Sequence, residues 1–285
     1  MASLREIRRS LRSVQNTKQI MRAMQLVSGS KLKRSQTRLT QARATMAFLD
    51  GLLQRVLAAA PNLTHPLCAT HAGPESALVV FTSDTGLCGA YNGNLIQLAE
   101  AHLRRDSAAK TRLVFIGKKG HRYFTKRGWS AEESFLDLAG RPDVKKAEAI
   151  GRSLMERFLS GRVGSVSLLY ARYVSASTSR PTIRPWLPIQ LQPASQPTPE
   201  VEYIFEPSPQ RVFEDLLPRW ALASFQLTLL EAFTSEHSAR MLAMKNATDN
   251  AHKLIGEMTM LRNKIRQASI TKELSEIVGT AEALK

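Results

Sequence analysis

From Arg219 to Gly279 the chain runs some sixty residues with no proline and one interior glycine, Gly256. A helix of that length would measure roughly 90 Å. No compact domain buries such a rod, so it must lie against another long helix or inside something larger than the chain. The apolar residues Met244, Ala247, Ala251, Leu254, Met258, Leu261, Ile265 and Ala268 step by three and four. That spacing predicts either the a/d seam of a left-handed coiled coil or a long core helix of a bundle. Gly279 is the expected stop, because glycine accepts the left-handed step that follows a helix.

The first segment, from Ser3 to Ala58, also lacks proline. Its strict heptad positions are Leu4, Ile7, Leu11, Val14, Lys18, Met21, Gln25, Ser28, Leu32, Ser35, Leu39, Ala42, Met46, Leu49, Leu53 and Val56, and twelve of these sixteen are apolar. The four failures fall between Lys18 and Ser35. Ile20, Met24 and Val27 suggest a local change of register there.

All thirteen prolines lie from Pro61 to Pro218, which marks an insertion between two rods. Within it, Ser76–Ser83, Thr111–Gly117 and Ser165–Ser175 are β-branched, apolar runs of strand length. Helices are expected near Asn94–Arg105, Lys118–Arg127 and Asp143–Ser160. Strands alternating with helices predict an α/β layer with a mostly parallel sheet. Thr182–Gln192 and Val201–Phe205 are candidate edge strands, given Pro185 and Pro188. Residues 175–199 are rich in Ser, Pro and Thr, a composition that suggests partial mobility. The expected division is 1–60, 61–218 and 219–285.

Charge sharpens this picture. Of the 285 residues 40 are Lys or Arg and 24 Asp or Glu, a net charge of +16. Residues 1–60 hold twelve of the bases and two acids, so more than half of the excess lies on the first helix. Three readings fit: an acidic partner surface, a solvated helix face, or a basic helix in a nucleic-acid groove. Cys68 and Cys88, the only cysteines, build neither a disulfide framework nor a Cys-rich metal site. The Arg-rich start also has the composition of a transit peptide, but its heptads run on too far for one. The glycine turn SDTGLCGAYNGN (83–94) lies where phosphate sites often form. It fits neither G-x-G-x-x-G nor a G-K-[ST] phosphate loop. Cys88 has no neighbouring histidine to activate it, so the expectation is a tightly packed turn with no catalytic residue, cofactor or metal.

Four stretches, VQNTKQIMRAMQLVSGSKLKRSQ (14–36), SDTGLCGAYNGN (83–94), SEHSARMLAMKNATDNA (235–251) and RQASITKELSEIVG (266–279), closely resemble the gamma subunit of F-type ATP synthases. The resemblance covers essentially the whole chain and is weakest between about Leu136 and Arg219. It implies an α/β fold with a long antiparallel coiled coil of the N- and C-terminal helices. The coil would be a shaft inside a ring of three alpha and three beta subunits, with the α/β domain at the foot against an epsilon subunit and a c-ring. Such a subunit neither binds nucleotide nor catalyses. A start that does not read as a transit peptide, together with the lack of a regulatory cysteine pair, favours the cytoplasmic face of a bacterial inner membrane.

The resemblance further implies that Met24, Arg240, Gln267 and Thr271 lie where shaft meets beta subunits, and that Glu206 in YIFEP (203–207) approaches the c-ring. Lys18, Arg22, Lys31 and Lys33 form a basic face suited to acidic beta loops. Ile270, Leu274, Ile277, Val278 and Ala281 form an apolar tip that can slide without breaking buried ion pairs. The cysteine pair of the thiol-regulated chloroplast relatives has no counterpart in Cys68 and Cys88. A basic coiled-coil protein that binds nucleic acid and an enzyme in the α/β domain are the competing classes.

Overall fold

The computed structural model describes residues 4–60, 62–70, 75–105, 111–138, 140, 143–191 and 205–283. The chain divides into two compact units, Met1–Ser28 with Met241–Lys285, and Gly29–Arg240. Helix α1 (Leu4–Ala59) and helix α5 (Pro209–Ala283) each contribute to both.

The larger unit holds a five-stranded sheet. In chain order its elements are β1 (Ser76–Phe81), α2 (Tyr91–Arg105), β2 (Thr111–Ile116), α3 (Lys118–Thr125), β3 (Ala131–Phe135), α4 (Val144–Leu159), β4 (Ser165–Tyr173) and β5 (Ser179–Leu187). The spatial order is β3-β2-β1-β4-β5. The first four strands pair in parallel and β5 pairs antiparallel to β4. The central strands are buried on both faces, which is why β1 reads as an unbroken apolar run. Ala77, Val79 and Phe81 face one core with Val166, Leu168 and Tyr170 of β4, Ile150, Leu154 and Phe158 of α4, and Phe213, Leu217 and Phe225 of α5. Leu78 and Val80 face the other, closed by Leu95, Ala99 and Leu103 of α2 and Phe124 of α3. Within this unit α1 and α5 run antiparallel: Ser35 meets Thr234, Arg43 meets Glu231 and Asp50 meets Trp220, so partners descend along α5 as they ascend along α1.

Several expectations need correction. α1 keeps one register throughout. Every strict heptad position from Leu4 to Val56 is buried or half-buried, including Lys18, Gln25, Ser28 and Ser35. Of the three residues expected to carry a shifted seam, Ile20 and Val27 are 61% and 55% exposed and only Met24 is half-buried. On α5, Met244, Ala247, Ala251, Met258 and Ile265 are buried or half-buried as expected, but Leu254, Leu261 and Ala268 are exposed. Ile255 and Arg262 take the alternate positions, each half-buried and one residue later than the predicted Leu254 and Leu261, and Thr248 is half-buried beside Ala247.

α5 begins at Pro209, not near Arg219, and carries Pro218 inside it. An interior proline costs about 3 kcal/mol. Here Phe213, Leu217, Ala221 and Phe225, all fully buried at a spacing of four, hold the helix across it. Gly279 does not end α5, which continues to Ala283.

β3 was not expected. Its sequence AEESF has no β-branched residue, and its glutamates are held by ion pairs, Glu132 and Glu133 to Arg157 at 2.8 and 2.7 Å. The edge strand lies at Ser179–Leu187, earlier than Thr182–Gln192, inside the segment expected to be mobile. It is tied to α5 by Arg184 Nη2, which donates to Thr228 Oγ1 at 2.7 Å, and by Trp186 Nε1, which donates to the Ala221 carbonyl at 3.1 Å. Residues 192–204, including all of the Val201–Phe205 candidate but Phe205, lie outside the described residues.

Candidate functional site: the turn at the sheet edge and the faces of the two long helices

In a doubly wound sheet the ligand crevice opens at the carboxyl ends of the strands, where the order reverses. Here that point lies between β1 and β4. α5 itself fills it. Ser235 Oγ donates to the Ala171 carbonyl of β4 at 2.8 Å, and Ser238 Oγ donates to the Ala176 carbonyl. Tyr91 at the start of α2 donates its hydroxyl to the Ala232 carbonyl at 3.1 Å, and burial pushes that phenol well above its usual range.

The turn after β1 closes on itself and on α5. Ser83 N donates to Asn92 Oδ1 at 3.0 Å, and Ser83 Oγ donates to the Thr85 carbonyl at 2.6 Å. Asp84 Oδ1 accepts from Lys118 N and Asp137 N at 3.1 and 3.2 Å. Gly89 has φ 58° and Leu87 has φ 62°, so both adopt the left-handed region. Next to the turn, Gly117 has φ 102° and its missing Cβ would lie 2.1 Å from the Thr82 carbonyl oxygen, so no other residue fits there.

Arg240 is buried, and its guanidinium is engaged within the chain. Nη1 pairs with Glu236 Oε1 at 2.8 Å, Nε donates to the Gly86 carbonyl at 3.2 Å, and Nη2 donates to the Thr85 carbonyl and Oγ1 at 3.1 Å each. Burial raises the Glu236 carboxyl above its usual range, against the pull of Arg240. His237, 2% exposed, lies 2.9 Å from the Gly140 carbonyl through Nε2. A carbonyl only accepts, so Nε2 carries the proton and Nδ1 is left bare. Nδ1 has no partner among the described residues. Burial, helped by the Arg240 and Lys31 charges, lowers its pKa to about 4.

The other residues singled out from the sequence are spread along the helices. Lys18 is half-buried in the seam, its Nζ 3.2 Å from His252 Nδ1. Arg22, Lys31 and Lys33 are exposed, and Met24 is half-buried beside the seam. Gln267 and Thr271 are exposed and joined one helical turn apart, Thr271 Oγ1 donating to the Gln267 carbonyl at 2.9 Å. Glu206 is exposed in the segment before α5. The sequence reading missed Glu236, His237, Ser235 and Ser238. Their one signal was four polar residues in succession at the head of the motif 235–251.

Among the described residues no three His, Cys, Asp or Glu side chains are grouped to hold a metal. A cleft of about 430 Å³ between α1, α4 and α5 is lined by Arg38, Gln41, Asp143, Gln226, Leu229 and Leu230 among others, with no nucleophile and base paired in it. No described helix is long and apolar enough to cross a membrane.

The family model for ATP synthase matches residues 3–284. The chain is 41% identical to the ATP synthase gamma chain of Moorella thermoacetica over 285 residues, all of both chains. It is 41% identical to that of Symbiobacterium thermophilum over 281 residues, 98% of this chain and 97% of the relative. Among solved structures, a chain of the Euglena gracilis mitochondrial ATP synthase (OSCP/F1/c-ring, rotational state 3) aligns over 99% of this chain and 94% of its own, with a TM-score of 0.69 at 21% identity. A chain of the Tetrahymena thermophila mitochondrial central stalk and c-ring covers 80% of this chain with a TM-score of 0.61. Full-length identity near two in five, carried on the same fold, places this chain in the ATP synthase gamma-chain family.

Proposed function

We propose that this chain is the rotating central shaft of an F-type ATP synthase. It couples rotation of a c-ring to conformational change in three alpha and three beta subunits around it, and it contributes no catalytic residue of its own. The epsilon subunit and c-ring meet the α/β layer at the foot, with Glu206 facing the ring. The complex works on the cytoplasmic face of a bacterial inner membrane.

The observation that carries this reading is the end of α5. From Gln267 to Thr280 every residue is exposed, although Ile270, Leu274, Ile277 and Val278 are apolar. A helix end that no described residue covers, yet apolar, needs a sleeve. The sleeve is apolar in turn, since sliding past charged pairs would break buried ion pairs at each step. Met24, Gln267 and Thr271 meet the beta subunits along the shaft. Arg22, Lys31 and Lys33, all exposed, with Lys18 beside them, present positive charge to acidic beta loops.

The test is co-expression with the alpha and beta subunits of the same source. Native mass is expected to give one copy of this chain per six, and ATPase activity is expected to depend on it. Failure to join the ring would overturn the reading. Within the assembled enzyme, Met24→Lys adds a charge at the shaft surface and is expected to lower proton pumping per ATP hydrolysed while leaving assembly intact. An unchanged ratio would remove Met24 from the contact.

A further inference from the structure

The family motif places Arg240 on the contact surface, but its guanidinium faces inward. Four donor contacts, one to Glu236 and three to Thr85 and Gly86, occupy it. Both members of the ion pair are buried, with side chains 9% and 4% exposed. A planar fork that meets two successive carbonyls and a carboxylate at once is geometry that lysine cannot reproduce.

What the fork holds is unusual. Immediately after Gly86 comes Leu87, in the left-handed region at φ 62° and 59% exposed. A bulky residue with positive φ is a genuine outlier that persists only where its surroundings over-determine it. Those surroundings are visible on both sides. Arg240 takes the carbonyls of Thr85 and Gly86, and Cys88 is buried beside Ser83 and Asn92. Asp84, the turn's first residue, is anchored by the backbone of Lys118 and Asp137. The result is an apolar side chain held out to solvent on a backbone fixed at every neighbouring position.

We propose that Arg240 is a positioning residue for the turn Asp84–Cys88. Held by Glu236, it fixes the turn's backbone so that Leu87 faces outward, and changes at Arg240 act on coupling through that turn and not through contact of the guanidinium with another subunit. This rests on the shaft reading, in which the turn meets a neighbouring subunit as the chain rotates. Glu236 is then as important as Arg240, although it is sealed from any partner surface.

The assembled complex separates the alternatives. Arg240→Lys keeps the charge and loses the fork. Glu236→Gln leaves the guanidinium intact and removes the carboxylate that orients it. Leu87→Gly relieves the positive φ and removes the displayed side chain without touching the ion pair, which guards against variants that fail to fold. Two readouts are needed: protons pumped per ATP hydrolysed, and hydrogen exchange of the peptide covering residues 83–90. Both Arg240→Lys and Glu236→Gln are expected to speed exchange of that peptide at least about tenfold, as release of a locally clamped segment does. Both are also expected to lower the pumping ratio, and Leu87→Gly is expected to lower it too.

Normal coupling in Glu236→Gln and Arg240→Lys would overturn the proposal. So would a loss of coupling with the exchange of residues 83–90 unchanged, since that pattern belongs to a guanidinium that touches its partner directly. Failure of the unmodified chain to enter the complex is a different result and would count against the shaft reading itself.

Discussion

Two stretches of α5 invert the usual relation between hydropathy and burial. Glu231–Arg240 contains Glu231, Thr234, Ser235, Glu236, His237, Ser238 and Arg240, yet every residue from Glu231 to Ser238 is buried. Gln267–Gly279 contains Ile270, Leu274, Ile277 and Val278, yet all of it is exposed. The first tolerates its polarity because each side chain has a bond to make. Thr234 meets Ser35 at 2.7 Å, Ser235 and Ser238 reach carbonyls at the sheet edge, Glu231 takes Arg43 at 2.7 Å, and Glu236 takes Arg240. Burying a polar group costs little once it is bonded. The second is exposed because no described residue covers it, and on the proposed reading a neighbouring subunit does. Along one helix, what surrounds a residue decides its burial, and its own hydropathy does not.

The sharpest break of this comparison is Arg240→Ala. It leaves the Glu236 carboxylate buried without its partner, and breaking such a pair costs about 3–5 kcal/mol. Thermal unfolding of the chain should show the loss directly. If the stability of the variant matched the parent, the buried stretch would not be held by its polar bonds.

The second largest effect is on pH dependence. His237 has a pKa of about 4 in the folded chain against an ordinary 6.5. Between those values the unfolded chain takes up a proton that the folded chain refuses. The contribution is therefore fully present above pH 6.5 and lost as pH falls toward 4, by about 3 kcal/mol at most. Glu236 acts in the opposite sense, because its raised pKa makes the folded state bind a proton more tightly and lose stability as pH rises through that value. His237→Gln removes the first effect and keeps the second. Denaturation across pH 4–7 should thus show a shallower acid loss in the variant than in the parent. An identical slope would mean that His237 does not titrate there.

How much of this was legible follows from the same contrast. The rods were visible because the stretches Ser3–Ala58 and Arg219–Gly279 lack proline, and the sheet because β1, β2 and β4 are apolar on both faces. Ser28 and Ser35 misled because a seam was expected to be apolar throughout, whereas a small residue fits a close helix pair and Ser35 finds a hydroxyl across it. Leu254 and Leu261 misled for the opposite reason, being apolar residues outside the seam. Pro218 was taken as a boundary, and tertiary packing by Phe213, Leu217 and Phe225 overrode it. The proposed contact face is not legible in the same way, since a basic or apolar residue facing a partner outside the chain looks the same as one facing water. Arg240 shows the limit most clearly, because nothing in a sequence says which way a guanidinium turns.

A smaller effect tests the polar bonds one at a time. Ser235→Ala leaves the Ala171 carbonyl at the end of β4 buried without its donor and should cost about 1–3 kcal/mol. Urea unfolding, read as a shift in midpoint at constant slope, measures it. A change below about 0.5 kcal/mol would put Ser235 with surface residues.

The smallest effect on stability is expected at the other end of the comparison. Ile277 is 65% exposed. Ile277→Ser should therefore leave the unfolding of the isolated chain within about 0.5 kcal/mol of the parent. The same change should matter in the assembled enzyme, if the apolar tip is covered there as the shaft reading has it. There it replaces an apolar contact with a hydroxyl, and steady ATPase activity should fall although the chain itself is as stable as before. That dissociation between stability and activity is what distinguishes a surface kept apolar for a sleeve from one that is apolar by chance. If Ile277→Ser lowered the stability of the isolated chain, the tip would have a partner within its own chain. If it changed neither stability nor activity, the end of α5 would be idle, and the work of the shaft would fall on the helix pair below it.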